Sequence, residues 1–233
     1  MKLSRIFFSL SLCACIALAP FAARPALVAA AAPDDSYTLQ KTTDAPPAEI
    51  SAAIGATLAP GALKVVGPNG ALCELWLRAA VPAAATPDTE IGVTFGQIAQ
   101  GTFVGVIQFP ADVIDYRQQH VKAGVYTLRY ALNPSDGNHM GVAPQRDFLL
   151  AIPDALDTDP ATLTYDQTVT LSRKAATTNH PSVWSLSEAD ATALPAVAHE
   201  TDPDSWVIEF NLAVGSAAPT PMSLVIFGHA DQA

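Results

Sequence analysis

The sequence predicts a mainly β protein, an antiparallel β-sandwich with one or two short helices, and three observations carry that reading. About eight short segments show β-period or continuous apolar patterns. Pro- and Gly-rich connections separate them, and only two stretches have the chemistry of a helix start. No internal repeat, heptad run or low-complexity tail competes with this architecture.

The cleanest strand covers residues 125–132, where Tyr126, Leu128, Tyr130 and Leu132 share one face and Thr127 and Arg129 the other. Ala123-Gly124 turns the chain into it. Residues 63–66 and 72–78 flank Gly67-Pro68-Asn69-Gly70, whose Asn-Gly pair supplies the positive φ of a tight hairpin. In the second arm Cys73, Leu75 and Leu77 alternate against Glu74, Trp76 and Arg78. Further strands are expected over 91–95, 102–109, 148–152, 183–186, 206–213 and 222–228. The last is nearly all apolar, as a strand covered on both faces should be. Pro46-Pro47 opens a short helix over 48–58, and Asp159-Pro160 offers a cap and first turn for a second within 162–175. Residues 32–45 read as a polar leader.

The N-terminus carries an address. Lys2 and Arg5 precede an apolar run over 6–18, and the small tract Val28-Ala29-Ala30-Ala31-Ala32 follows, the order of a secretory signal peptide cut near Ala31. Pro20, Arg24 and Pro25 interrupt the run before it reaches the about 20 apolar residues of a membrane anchor, so no membrane span is expected after cleavage. Leu12-Cys13-Ala14-Cys15 loosely resembles a lipoprotein cleavage box, which makes lipidation at Cys15 the less favoured alternative, since the run before it is short. The expectation is a signal peptide over 1–30, a single domain over 31–233, and a secreted or periplasmic location.

The whole chain carries 12 cationic and 22 acidic residues, a net charge of −10. Removing Lys2, Arg5 and Arg24 with the signal leaves 9 against 22, or −13. Such a balance opposes nucleic-acid phosphates and anionic lipid, and favours cationic partners or divalent metal. About 200 residues suffice for one core that buries roughly 70% of the unfolded surface. Cys73 is the only cysteine after cleavage, so no disulfide can form within the domain, and a buried core thiol is the expectation.

One segment has residue types suited to chemistry. Residues 133–146 join two strands through a connection long for a hairpin, and Asp136-Gly137 marks a turn within it. His139 can ligate a metal or move a proton near neutral pH, and Arg146-Asp147 sets a fork-shaped cation beside a carboxylate. Grouping His139 with Asp136 and Asp147, with Arg146 as orienter and help from Asp115, Arg117 or His120, suits a metal-assisted hydrolase; His139 and Asp136 would be the metal ligands. A structural loop stapled by Arg and Asp hydrogen bonds uses the same residues, and the spacing matches no strong metal signature. A divalent metal is the one cofactor these residue types would suit. Asp157-Thr158-Asp159 and Asp202-Pro203-Asp204 raise calcium, but helix capping and turn formation explain them better. No Gly-x-Ser-x-Gly occurs. For ligand recognition, Trp76 beside Glu74 and Arg78 is the candidate for stacking a sugar, with core burial as its default fate, and Arg117 is a second binding candidate.

Asp115-Tyr116-Arg117, Ala123-Gly124-Val125-Tyr126-Thr127-Leu128-Arg129-Tyr130, Asp136-Gly137-Asn138-His139-Met140-Gly141 and Arg146-Asp147-Phe148-Leu149-Leu150 together resemble a group of secreted bacterial proteins to which no activity is attached. The resemblance extends to Cys73-Glu74-Leu75-Trp76-Leu77-Arg78 and Gly228 and so spans most of the mature chain. Its Gly-x-Tyr-x-Leu element is similar to the strand entry of many exported β-sandwich modules, which implies architecture and nothing more. The function expected is a non-catalytic binding or structural accessory protein, with a small molecule, a glycan or an envelope protein as partner. The metal-assisted hydrolase and a carbohydrate-binding module are the alternatives.

Overall fold

Alternation in the strand that ends at Leu132 organises the fold. In a computed structural model of the chain, which describes residues 36–135 and 146–228, this strand is β7 (Gly124–Leu132). It lies mid-sheet, and Tyr126, Leu128, Tyr130 and Leu132 all enter the main core. Around it stand β1 (Thr38–Thr42), β2 (Ala62–Gly67), β3 (Gly70–Leu77) and β4 (Phe103–Phe109) on one side. On the other stand β8 (Asp147–Pro153), β9 (Ser182–Ser187), β10 (Ala196–Thr201), β11 (Asp204–Leu212) and β12 (Thr220–Gly228). Their order is β1-β2-β3-β4-β7-β8-β9-β12-β11-β10, with every pairing antiparallel. A separate two-stranded ribbon joins β5 (Val113–Ile114) to β6 (His120–Val121). The expected mainly β, antiparallel architecture with two short helices is the one that forms.

The two layers of the sandwich are halves of one curled sheet. Tyr37, just ahead of β1, packs its ring 5.0 Å from Trp206 of β11 and 5.6 Å from Phe227 of β12, so the two ends of the sheet meet. The face turned inward carries Cys73, Leu75, Ile107, Leu128, Phe210 and Leu224, all buried. Phe109 stacks on Trp184 at 4.9 Å between ring centres. Burial of the Cys73 thiol pushes its pKa up to about 12, which removes the thiolate that reactivity requires.

Two covers shield the outer face. The first contains α1 (Ala52–Gly55), whose Ser51 hydroxyl accepts from the Ile54 N–H and donates to the Thr158 carbonyl at 2.7 Å. Ile54 then packs with Trp76, Phe103, Val106 and Val125. The second contains α2 (Tyr165–Ser172), started by a reciprocal capping box in which the Thr164 hydroxyl accepts from Gln167 N–H and the Gln167 side chain accepts from Thr164 N–H. Val169 of α2 packs toward Phe148, Leu150 and Val183, while the Ser172 hydroxyl bonds both the N–H and the carbonyl of Ser182.

A buried ion pair seats the second cover. Arg129, on the outer face of β7, donates Nε–H and one Nη2–H to the two oxygens of Asp157, each at 2.7 Å. Its remaining N–H groups reach the carbonyls of Gly101, Ala161 and Asp159 at 2.6–2.7 Å. All five donors of the guanidinium are therefore used. Gly101, with a φ of +82, admits the close approach of the 157–163 segment, because a Cβ there would stand 1.9 Å from the Leu163 carbonyl oxygen.

Several expectations are corrected. Residues 91–95 form turns rather than a strand, with Ile91 96% exposed, because Gly92 takes a φ of +83 and the segment bonds to the start of β8 instead of a neighbouring strand. The cap of the second helix is Thr164, while the Asp159 carboxylate accepts from the Ala161 N–H in a tight turn. The first helix keeps only four residues of 48–58. Part of the expected polar leader is β1, and β5, β6 and β10 are additional. Among the described residues no helix is long and apolar enough to cross a membrane. The signal segment with Cys13 and Cys15, and His229, lie outside the described residues.

Arg129→Met should cost about 3–5 kcal/mol in urea denaturation, because it strands the Asp157 carboxylate in the interior. The paired change Arg129→Met with Asp157→Leu should recover part of that loss, and a single change costing under about 1 kcal/mol would remove this pair from its structural role.

Candidate functional site

Asp147 opens β8 opposite Leu132 of β7, so its side chain is delivered to the top of the core by strand register. It is wholly buried. One oxygen accepts from Phe95 N–H at 2.9 Å and from the Tyr130 hydroxyl at 2.5 Å, and the other accepts from Thr94 N–H at 2.9 Å. Burial, then this hydrogen bond to a carboxylate, hold the Tyr130 hydroxyl above its ordinary pKa. Arg146 turns elsewhere: Nε–H donates to the Asn133 carbonyl at 3.0 Å, and one terminal nitrogen donates to Glu90 at 2.9 Å and to the Ile91 carbonyl at 3.2 Å. The neighbours thus staple residues 90–95 to the end of β7, each through its own partners.

Of the expected catalytic grouping, this geometry bears on Asp147 and Arg146 alone. Asp147 has three donors on its two oxygens and no exposed surface, so it offers neither an open base nor an open metal ligand. Asp136 and His139 lie outside the described residues. Among the described residues no group of three or more His, Cys, Asp or Glu stands close enough to hold a metal ion. His120 sits in β6, its carbonyl accepting from Thr177 N–H at 3.1 Å. The acidic doublets are also spoken for, Asp157 by Arg129 and Asp204 by a 2.6 Å contact to His199 Nε2.

Trp76 is corrected as well. It occupies the face opposite Cys73, as its alternation requires, but the first cover lies over that face and leaves Trp76 1% exposed, with Nε1–H donating to the Asp44 carbonyl at 3.0 Å. Its neighbour Glu74 pairs with Lys64. Trp184 is a core residue, and Trp206 has Tyr37 on one side and His199 stacked at 4.8 Å on another. No tryptophan offers a free face to a sugar ring.

Arg117 does line a site. A cleft of about 470 Å3 opens between α2 and the outer face of β7, β8 and β9. Ala131, Phe148, Leu150 and Val183 form its apolar floor, and Val169 faces them from the helix. Its wall is the 116–118 segment, held in place by Asp115. That buried carboxylate accepts from the N–H groups of Arg117 and Gln119 at 2.9 Å, the Gln119 side-chain amide at 2.8 Å and Val183 N–H at 3.0 Å. Burial holds the Asp115 carboxyl above its usual pKa, an effect these hydrogen bonds partly offset. The Gln119 amide also donates to Pro181, and Tyr116 N–H to Val183, which tie the wall to the start of β9.

Those ties order the charges. Ser172 bonds Ser182, so the C-terminal end of α2 and its cap residue Arg173 stand at the start of β9, where Pro181 and the 116–118 wall also meet. Arg117, Arg173 and His180 all line the cleft, on segments that meet at the start of β9. Asp166 and Tyr165 belong to the first turn of α2, about 10 Å away along the helix axis at 1.5 Å per residue. A second hollow of about 340 Å3, with Leu75, Leu77, Leu194 and Phe210, lies where β1–β3 face β11 and brings only Lys41 and Asn211 as its longer polar side chains.

Sequence reasoning reads His180 as a structural or solvated loop residue and does not group it or Arg173 with Arg117, because the signal uniting them is tertiary: the bonds of Asp115, Gln119 and Ser172 bring the three segments together. No family model, curated protein or solved structure matches the chain.

Asp147→Asn should lower stability by about 1–3 kcal/mol in urea or thermal denaturation, since the amide nitrogen cannot accept from a backbone N–H. Unchanged stability would return Asp147 to the list of functional candidates.

Proposed function

We propose that the protein is exported and acts as a non-catalytic binding protein whose small-molecule ligand occupies the cleft beneath α2. The observation that carries this reading is the pairing of an apolar floor with converging cationic side chains in a chain whose net charge is otherwise strongly negative. The volume lies within the roughly 300–1,000 Å3 usual for small-ligand sites, and few, oriented polar groups on an apolar surface are their normal chemistry. The lining supplies no nucleophile beside a base: His180 is there, but no Ser, Thr or Cys lines the cleft with it. The hydrolase alternative would need Asp147 to release two backbone amides and Tyr130 before it could serve a reaction.

Expression with the native N-terminus in a Gram-negative host should yield a periplasmic or secreted protein whose intact mass corresponds to a start within a few residues of Ala31; retention of the whole N-terminus in the cytoplasm would refute export.

For the cleft itself, the neutral fluorophore N-phenyl-1-naphthylamine should bind with micromolar affinity and a fluorescence increase, and Val169→Trp, which fills the space over Phe148 and Leu150, should abolish both. Binding that ignores Val169→Trp places the ligand elsewhere, and no binding by the wild type favours a purely structural accessory role.

A further inference from the structure

We infer that the ligand class is an amphipathic carboxylic acid, its carboxylate held by Arg117 and Arg173 at the β9 end of the cleft and its apolar body laid along Ala131, Phe148, Leu150 and Val183. The inference deepens the cleft reading and rests on it.

Scarcity of cations is the first argument. After Ala31 the chain has nine Lys and Arg against 22 acidic residues, so carboxylates abound to neutralise any exposed arginine. Lys64, Arg129 and Arg146 are paired, with Glu74, Asp157 and Glu90, whereas Lys41, Arg78, Lys122 and Lys174 form no ion pair among the described residues and line no part of this cleft. Arg117 and Arg173 form no ion pair among the described residues, although they approach the same cleft from distant parts of the sequence. Two planar guanidinium groups on one concave surface match the in-plane oxygens of a carboxylate, which accepts paired N–H bonds from such a fork.

Charge count selects a single negative charge. The lining holds two arginines and His180 against Asp166, with Asp115 buried behind the wall and its oxygens occupied by four donors. Among the described residues the two arginines against Asp166 leave one positive charge on the lining, which a monoanion satisfies. A dianionic phosphate would carry one charge too many into the field of an acidic protein. The last carbonyls of α2 do not compete for the cations, since Val169 and Leu171 carbonyls accept from Arg173 and Lys174 N–H at 3.1 and 3.0 Å.

Position explains why the head alone is insufficient. Both arginines are exposed, so water weakens their attraction for a free anion, and the apolar floor must supply the rest by taking up hydrocarbon.

The test displaces N-phenyl-1-naphthylamine from the wild type and from Arg117→Ala/Arg173→Ala with decanoate, decan-1-ol, decyl phosphate and acetate. Decanoate should displace the probe from the wild type at about a tenth or less of the decan-1-ol concentration, the scale of one charge-assisted hydrogen-bonding pair. In the double variant that gap should close while the probe still binds and the melting temperature stays unchanged, because among the described residues neither arginine side chain forms a hydrogen bond or ion pair with the fold. Equal displacement by acid and alcohol, with the probe still bound and still sensitive to Val169→Trp, would overturn the carboxylate while leaving the cleft intact. Stronger displacement by decyl phosphate would overturn it in favour of a phosphate head. Displacement by acetate as strong as by decanoate would overturn the amphipathic ligand. Failure of the probe to bind at all would remove both readings together.

Discussion

The guanidinium of Arg129 is the point on which the outer architecture depends. It sits where the strand pattern of β7 puts a polar residue, on the face away from the core, yet that face is closed to water. A cation there is tolerable only if every N–H finds an acceptor, and the segment after β8 provides them: Asp157 twice, then Asp159 and Ala161, with Gly101 from below. Lysine could not substitute, having three donors on a flexible stem rather than five in a plane. The consequence reaches beyond the ion pair. Fixing residues 157–161 sets where Thr164 caps α2, and hence where Val169 stands over β8. Arg129 lines no part of the cleft, yet it determines that there is one.

Why the cleft beneath α2 lies outside the curled sheet follows from the size of the inward side chains. Trp184, Phe109, Tyr126, Tyr130 and Phe210 fill the interior in stacked and tilted contacts. A sheet of ten strands curled until Tyr37 meets β11 and β12 leaves between its inward faces the smaller hollow of about 340 Å3 beside Leu75 and Phe210. The outer face is a different matter, since it is covered by two connecting segments that are too short to seal it. The first cover closes over Trp76 and Phe103. The second leaves a gap between α2 and the 116–118 wall, and that gap is the cleft.

Much of this was legible in the sequence where a single physical cause dominates a short stretch. The Tyr126-to-Leu132 alternation and the apolar terminal strand formed as their local patterns require, and the expected hairpin formed about Pro68-Asn69, with the positive φ at Gly70 alone rather than at an Asn-Gly pair. The misreadings share the opposite property, that a distant partner outvotes local pattern. Residues 91–95 alternate like a strand, but Asp147 and Arg146 capture their backbone. β1 is polar on both faces, as an edge strand can be, and only Tyr37 and Leu39 tie it to the core. Trp76 was assigned to the correct face of β3, but strand periodicity carries no information on whether a later cover will bury that face. Arg117 was legible as a candidate from residue type alone; its company was not, because Arg173 and His180 reach it through Ser172 and Gln119.

The same contrast separates the two arginine environments of the protein and gives them different work. At Arg129 the folding chain itself supplies all the acceptors, so the charge is spent on structure and nothing remains for a ligand. At Arg117 and Arg173 the chain supplies backbone bonds that place the residues, through Asp115 on one side and the end of α2 on the other, but among the described residues no ion pair for the guanidinium groups. That keeps two cations available at the rim of an apolar floor. The negative field of the remaining surface works against any anion that brings only charge, whereas one that also brings hydrocarbon gains the floor as well as the fork. Selectivity would then come from the conjunction of the two surfaces, each weak in water by itself.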